Sequence, residues 1–137
     1  MSNIVLDSWA LMALLNREEP AASRVRALLY EAKQQQINIF LSLVNLGEIY
    51  YIVGRRRGNS VAEETVAGIH TLPLTILPID EATVIQAARY KMLYPISYAD
   101  AFAVAAAFQQ NAMLVTGDPE FDKLQGIVKI EMLQRNT

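Results

Sequence analysis

Short β-branched apolar runs that hand over to segments of helical periodicity recur along the whole chain, and this alternation limits the folds open to it. Asn3–Leu6 is such a run, ending at Asp7, after which Ser8–Leu15 repeats apolar residues at helical spacing. A second helix is expected over Ala21–Gln35, with Val25, Leu28, Leu29 and Ala32 on one face, and a second strand over Ile37–Leu41. Ser42 can cap a helix that runs through Glu48 to about Val53, closed by Gly54 and the Arg55-Arg56-Arg57-Gly58 stretch, and Ser60 can open another to about Ile69. Residues 72–79 contain Pro73 and Pro78, so a strand there is short or lies at an edge. A helix from Asp80 or Glu81 to about Leu93 and an alanine-rich one over Ser97–Gln110 precede strands at Met113–Thr116 and Val128–Met132. Parallel strands need crossovers, which are overwhelmingly right-handed. The pattern therefore predicts an α/β fold with a mostly parallel sheet and helices on both faces.

Residues 1–137 are expected to form a single domain, with 53% apolar and 19% charged residues, a balance that excludes disorder. No apolar run approaches the roughly 20 residues of a membrane span. With 14 acidic and 12 basic side chains the chain does not coat nucleic acid by net charge, so any nucleic-acid site must be local. The absence of cysteine excludes disulfides, thiolate chemistry and cysteine-ligated zinc. Together with a start, MSNIVLDSW, that lacks a leader pattern, it suggests a cytoplasmic protein.

Asp7, Glu48, Asp100 and Asp118 each fall where an apolar run meets a helix, or one turn into one. Taken singly, three have ordinary explanations. Asp7 can be a helix N-cap, Asp118 an N-cap before Pro119, and Asp100 part of a capping box with Ser97. Glu48 resists such an explanation, because its helix places it on a stripe with Leu41, Val44 and Ile52. A carboxylate on an apolar face calls for a cation or a hydrogen-bond network.

Jointly the four are more telling, since Asp7 and Asp118 follow strands, and open parallel sheets bind ligands at that edge. Two carboxylates about 4 Å apart repel by about 4 kcal/mol at an effective dielectric of about 20, so a cluster needs a proton or a metal ion. Oxygen-only ligation favours Mg²⁺ or Mn²⁺, which suit phosphoryl chemistry by activating water and stabilising a leaving oxygen. Ser8, Asn45 and Thr116 are placed to orient the carboxylates or waters around the ion. Arg55-Arg56-Arg57, the only dense positive cluster, is a candidate for phosphate contacts, and equally a charged helix end. Tyr50 and Tyr51 can stack bases, although at least one is expected in the core; Trp9, two residues after Asp7, can line the groove but is more readily placed in the core or an interface, and His70 is structural.

NIVLDSWALMALL, VNLGEIYY, SYADAFAVAAA and MLVTGDPEFDKL come in the order and approximate spacing of a PIN domain. The whole chain resembles the VapC-type toxins of bacterial toxin–antitoxin pairs. The resemblance implies a three-layer α/β/α sandwich and an Mg²⁺- or Mn²⁺-dependent endoribonuclease that cleaves RNA phosphodiesters through activated water. By position it assigns Asp7, Glu48, Asp100 and Asp118 as metal-binding catalytic residues, with Asp122 a nearby alternate to Asp118. It also implies a VapB-type antitoxin partner. Gly117 departs from the larger polar or basic residue that relatives often carry. Apolar excess at Leu11, Met12, Leu14, Leu15, Leu28 and Tyr50 suggests a homodimer surface and an antitoxin-binding groove.

Two other functions were weighed against this one. A phosphotransfer protein using Asp7 as nucleophile lacks the second Asp two residues on, where Trp9 stands, and lacks an acidic pair ahead of it. A PIN fold reduced to a binding module would not need all four acidic positions filled.

Overall fold

A computed structural model of the chain describes residues 2–136. Five strands, β1 (Ser2–Leu6), β2 (Ile37–Ser42), β3 (Thr75–Leu77), β4 (Met113–Thr116) and β5 (Ile130–Met132), form one sheet of order β3-β2-β1-β4-β5. Every pair is parallel, so the sheet is wholly rather than mostly parallel. The proline-flanked strand β3 lies at an edge, as its sequence requires. The strand expected from Val128 begins only at Ile130, because the Val128 N–H still bonds back to the Leu124 carbonyl.

Six helices cover the sheet: α1 (Ser8–Leu15), α2 (Ala21–Lys33), α3 (Leu43–Arg57), α4 (Asn59–His70), α5 (Glu81–Leu93) and α6 (Tyr98–Gln109). A 3₁₀ turn spans Pro119–Leu124. Strand alternation sorts the core into two layers. Ile4, Leu6, Ile39, Leu41 and Val115 pack with Leu11, Val25, Leu28, Ile49 and Ile69. Val5 and Leu114 face the other way, against Ala87, Ala103, Val104, Phe121 and Leu124. Both faces are thus buried, the condition under which an all-parallel sheet is found, and the result is an α/β/α sandwich. The alanines of α6 from Ala101 onward are buried, and their small size lets that helix lie close to the strands.

The helix carrying Glu48 is longer than its sequence suggests. Gly54 does not end it; the helix runs on to Arg57 and stops at Gly58, whose φ of +90° favours glycine. Gly54 instead faces α4, where a β-carbon would stand 3.7 Å from that of Ala62. The three arginines therefore form the last turn of α3, where cations complement the helix dipole. The chain leaves β1 toward β2 on one side while β4 lies on the other. That reversal opens a crevice at the carboxyl ends of β1 and β4. No helix among the described residues is long and apolar enough to cross a membrane.

Candidate metal centre

Asp7 follows β1 and caps α1, its Oδ1 accepting the Ala10 N–H at 2.9 Å and its Oδ2 the Thr116 hydroxyl at 2.5 Å. Thr116 ends β4, in the strand directly beside β1, and its oxygen also accepts the Asp118 N–H at 3.1 Å. One hydroxyl thus ties the two strand-end acids together. Asp7 is 1% exposed, and burial pushes its carboxyl up to about 7. The bonds from Thr116 and Ala10 oppose that rise, and the charges of Asp100 and Asp118 add to it.

Asp100 enters from the first turn of α6. Ser97 caps that helix by accepting the Asp100 N–H at 3.1 Å. The capping role expected of Asp100 is carried by its backbone, and its side chain joins the acidic cluster. Burial pushes its carboxyl up to about 6, with the charges of Asp118, Glu48 and Glu120 raising it and the Ser97 hydroxyl opposing. Asp118 caps the 3₁₀ turn through the Glu120 N–H at 2.9 Å. Asp100, Asp118 and Glu120 each offer a carboxylate oxygen within 4.8 Å of the others.

Glu48 is half-buried rather than stranded on an apolar face, and its Oε1 accepts the Ser8 hydroxyl. It shares with Ile52, Met12, Trp9, Arg56 and the three clustered acids a cleft of about 330 Å³. The Ser8 and Thr116 hydroxyls therefore donate to carboxylates. Asn45 is fully buried and donates to the Ala99 carbonyl at 3.2 Å, tying α3 to the residue before Asp100.

The arginine run divides. Arg56 lines the cleft, Arg55 stacks on the Tyr51 ring at 5.4 Å, and Arg57 lines a neighbouring hollow with Leu15 and Asn16. Tyr50 packs against the core, as expected of one tyrosine of the pair, and its hydroxyl donates to Glu63. Asp122 is exposed on the 3₁₀ turn and outside the acidic group, to which Asp118 belongs. Leu11 and Leu28, counted among the apolar surplus, are buried in this chain's own core. Leu15 is exposed, and the two helices near Leu28 and Tyr50 expose Tyr30, Leu43 and Tyr51.

Glu120 and Arg135 line the cleft without having been expected there. Glu120 follows Asp118 by two positions in a tight turn, a spacing that brings both carboxylates to one side. Trp9 is half-buried, packing against the core and lining the cleft, its ring lying on Gly117 where a β-carbon would stand 2.2 Å from Cη2. That close approach is why a larger residue is absent at 117. The donor set suits a hard divalent cation: oxygen ligands only, clustered, with carboxyl groups whose charge burial disfavours.

The model of the PIN domain matches residues 4–127. In structure the chain is similar to VapBC2 from Rickettsia felis bound to a promoter DNA fragment, with a TM-score of 0.73, 15% identity, and coverage of 96% of this chain and 99% of that one. DNA-bound VapBC from Salmonella typhimurium matches with a TM-score of 0.72 and 19% identity over 96% and 98% of the two chains. VapC20 from Mycobacterium tuberculosis, a Sarcin-Ricin loop cleaving toxin, matches with a TM-score of 0.71 and 20% identity over 88% and 94%. No curated protein matches in sequence. Likeness at such identities speaks to the fold, whereas the family model spans nearly the whole chain, including all four sequence-assigned carboxylates. The chain belongs to the PIN domain family.

Proposed function

We propose that the chain is an Mg²⁺- or Mn²⁺-dependent endoribonuclease that hydrolyses RNA phosphodiesters with water and serves as the toxin of a VapBC-type toxin–antitoxin pair. The observation that carries this reading is the convergence of Asp100, Asp118 and Glu120 within 4.8 Å at the switch point of a parallel sheet, with Asp7 behind them. Asp100, Asp118 and Glu120 would hold the ion, with Glu48 and Asp7 completing the acidic surround. When bound, the ion supplies a water of lowered pKa and neutralises charge on the phosphate.

The chain's own residues do the rest. Thr116 and the Ala10 N–H fix Asp7, Ser8 fixes Glu48, and Ser97 sets the start of α6 so that Asp100 enters the cleft. Arg56 offers a cation to the RNA backbone beside the acids, with Arg55 and Arg57 farther along the same helix end. The reading includes a cytoplasmic location, a homodimer supported by exposed apolar side chains such as Leu15, Met92 and Leu93, and silencing by a VapB-type antitoxin.

An RNA-cleavage assay with Mg²⁺ or Mn²⁺ tests it, comparing the chain with Asp7→Asn and Asp100→Asn. Loss of cleavage in both variants is expected. Equal cleavage by all three removes the carboxylates from the mechanism. The antitoxin half is tested by co-purification with the product of a small open reading frame immediately upstream.

A further inference from the structure

We propose that Arg135, presented by a C-terminal strap, is a second RNA-phosphate contact of the cleft, so that substrate is gripped by two arginines from distant parts of the chain. The proposal rests on the reading of the cleft as an RNA site.

After β5 the chain is stitched along the α1–α2 connection. The Leu133 N–H bonds to the Thr116 carbonyl at 2.6 Å, the Ala21 N–H to that of Gln134 at 2.9 Å, and the Asn136 N–H to that of Glu19 at 2.8 Å. Pro20 and Arg135 pair as an antiparallel bridge. The strap is therefore fixed at the backbone on both sides of Arg135, and its position is set by β4 and by the residues just beyond α1.

The Arg135 side chain lines the same cleft as Asp100, Asp118 and Glu120. Its guanidinium lies 5.1 Å over the Trp9 ring, and its Nη1 alone donates to Glu18, at 3.3 and 3.2 Å to the two oxygens. A fork-to-fork arginine–carboxylate pair would use two nitrogens; this one uses a single nitrogen. Among the described residues Nε and Nη2 meet no acceptor, and the side chain is 47% exposed. An exposed ion pair of this geometry contributes little to stability. What it does is hold a cation with unused donors at the cleft wall.

Charge makes such a group necessary. A cleft lined by Glu18, Glu48, Asp100, Asp118 and Glu120 repels a phosphodiester chain, and local cations must offset that repulsion for the backbone to approach. Arg56 and Arg135 are the two cations that line it.

The test measures binding of a fluorescent single-stranded RNA oligonucleotide by anisotropy over a range of salt concentrations. An Asp100→Asn chain serves as the parent, to suppress cleavage. Arg135→Gln is expected to bind several-fold more weakly and to lower the slope of log K against log salt by about 0.7, one phosphate contact on a single strand. Arg89→Gln, an equal charge change outside the cleft, should leave the slope unchanged. Glu18→Gln breaks the same ion pair but keeps the cation, so it should bind at least as tightly as the parent. An Arg135→Gln slope equal to the parent's, or weakening by Glu18→Gln as well, makes Arg135 a tether of the strap and overturns the proposal. A parent that binds no RNA at any salt overturns the nuclease reading itself, and this inference with it.

Discussion

The indole of Trp9 rests on the α-carbon of Gly117, so closely that a β-carbon there would fall 2.2 Å from Cη2 and 2.3 Å from Cζ2 and Cζ3. Gly117 lies between Thr116, which bonds Asp7, and Asp118, which belongs to the acidic group. Anything that lifts the indole or shifts the turn moves a candidate ligand. Gly117→Ala is expected to cost about 1–3 kcal/mol by overpacking and to reduce cleavage sharply. Shortening the partner relieves the clash, so the Gly117→Ala, Trp9→Leu double variant should be more stable than the sum of the single losses allows, by about 0.5–3 kcal/mol. Thermal melts of the four proteins measure this, and additive losses would mean that the ring moves aside freely.

Burial of Asp7 reverses the usual pH dependence of a carboxylate. Its folded pKa, about 7, lies above the value of 3.8 for a free side chain, so the folded state holds the proton more tightly than the unfolded one. The contribution of Asp7 to the stability of the metal-free chain is then full below about pH 4, is lost as pH rises toward 7, and levels off above it. The loss is on the order of a few kcal/mol, and Asp100, pushed up to about 6, adds to it. Melting temperatures should fall between pH 5 and pH 8 without metal, and Mn²⁺ should reverse the fall, by about 2.7 kcal/mol at a hundredfold excess over Kd. Asp7→Asn should flatten the decline while abolishing cleavage. A melting temperature that rises with pH in the metal-free wild type would contradict this placement of Asp7.

The strand-to-helix alternation made the sheet and the first three carboxylates legible, because periodicity and capping are local properties. Asp7 ends an apolar run and starts a helix, and its neighbours along the chain suffice to place it. Asp118 was readable as a helix start and, through the resemblance, as the fourth acidic position; its meeting with Asp100 depends on which strand lies beside β1, a property of topology. Glu120 and Arg135 were invisible for the same reason. A strap folded back across the loop after α1 brings position 135 to position 9, and neither spacing nor periodicity encodes that meeting. Adjacency in the arginine run does not mean a shared face: its members diverge by about 100° per residue on a helix, so one lines the cleft and another stacks on Tyr51.

Thr116 offers a way to alter Asp7 without touching it. Its hydroxyl donates to Asp7 and accepts from the Asp118 N–H. Thr116→Val keeps the shape and removes both bonds, so the Asp7 carboxyl should rise beyond about 7 and the acid limb of the pH–rate profile should move to higher pH. Unequal stability of the variants is removed by comparing limb positions rather than rates. A profile that scales down without moving would show that Thr116 serves only the packing of β4.

Glu120 can be separated from its neighbour by titration. Glu120→Gln should weaken Mn²⁺ binding measured calorimetrically, because a neutral amide replaces one of three clustered carboxylates. Asp122→Asn, on the exposed side of the same turn, should leave the isotherm unchanged. The reverse result would exchange the two assignments.

Arg56 and Arg55 provide the sharpest test of how the last turn of α3 meets RNA. Both are exposed and carry the same charge, so a long-range field would treat them alike. Their positions differ: Arg56 lines the acidic cleft, whereas the Arg55 guanidinium is engaged over Tyr51 at 5.4 Å. A direct phosphate contact should therefore be lost in Arg56→Gln, lowering the salt slope of RNA binding by about 0.7, with little change in Arg55→Gln. If the two substitutions lower affinity equally, the turn acts through diffuse charge, and the cleft geometry has no part in holding the backbone.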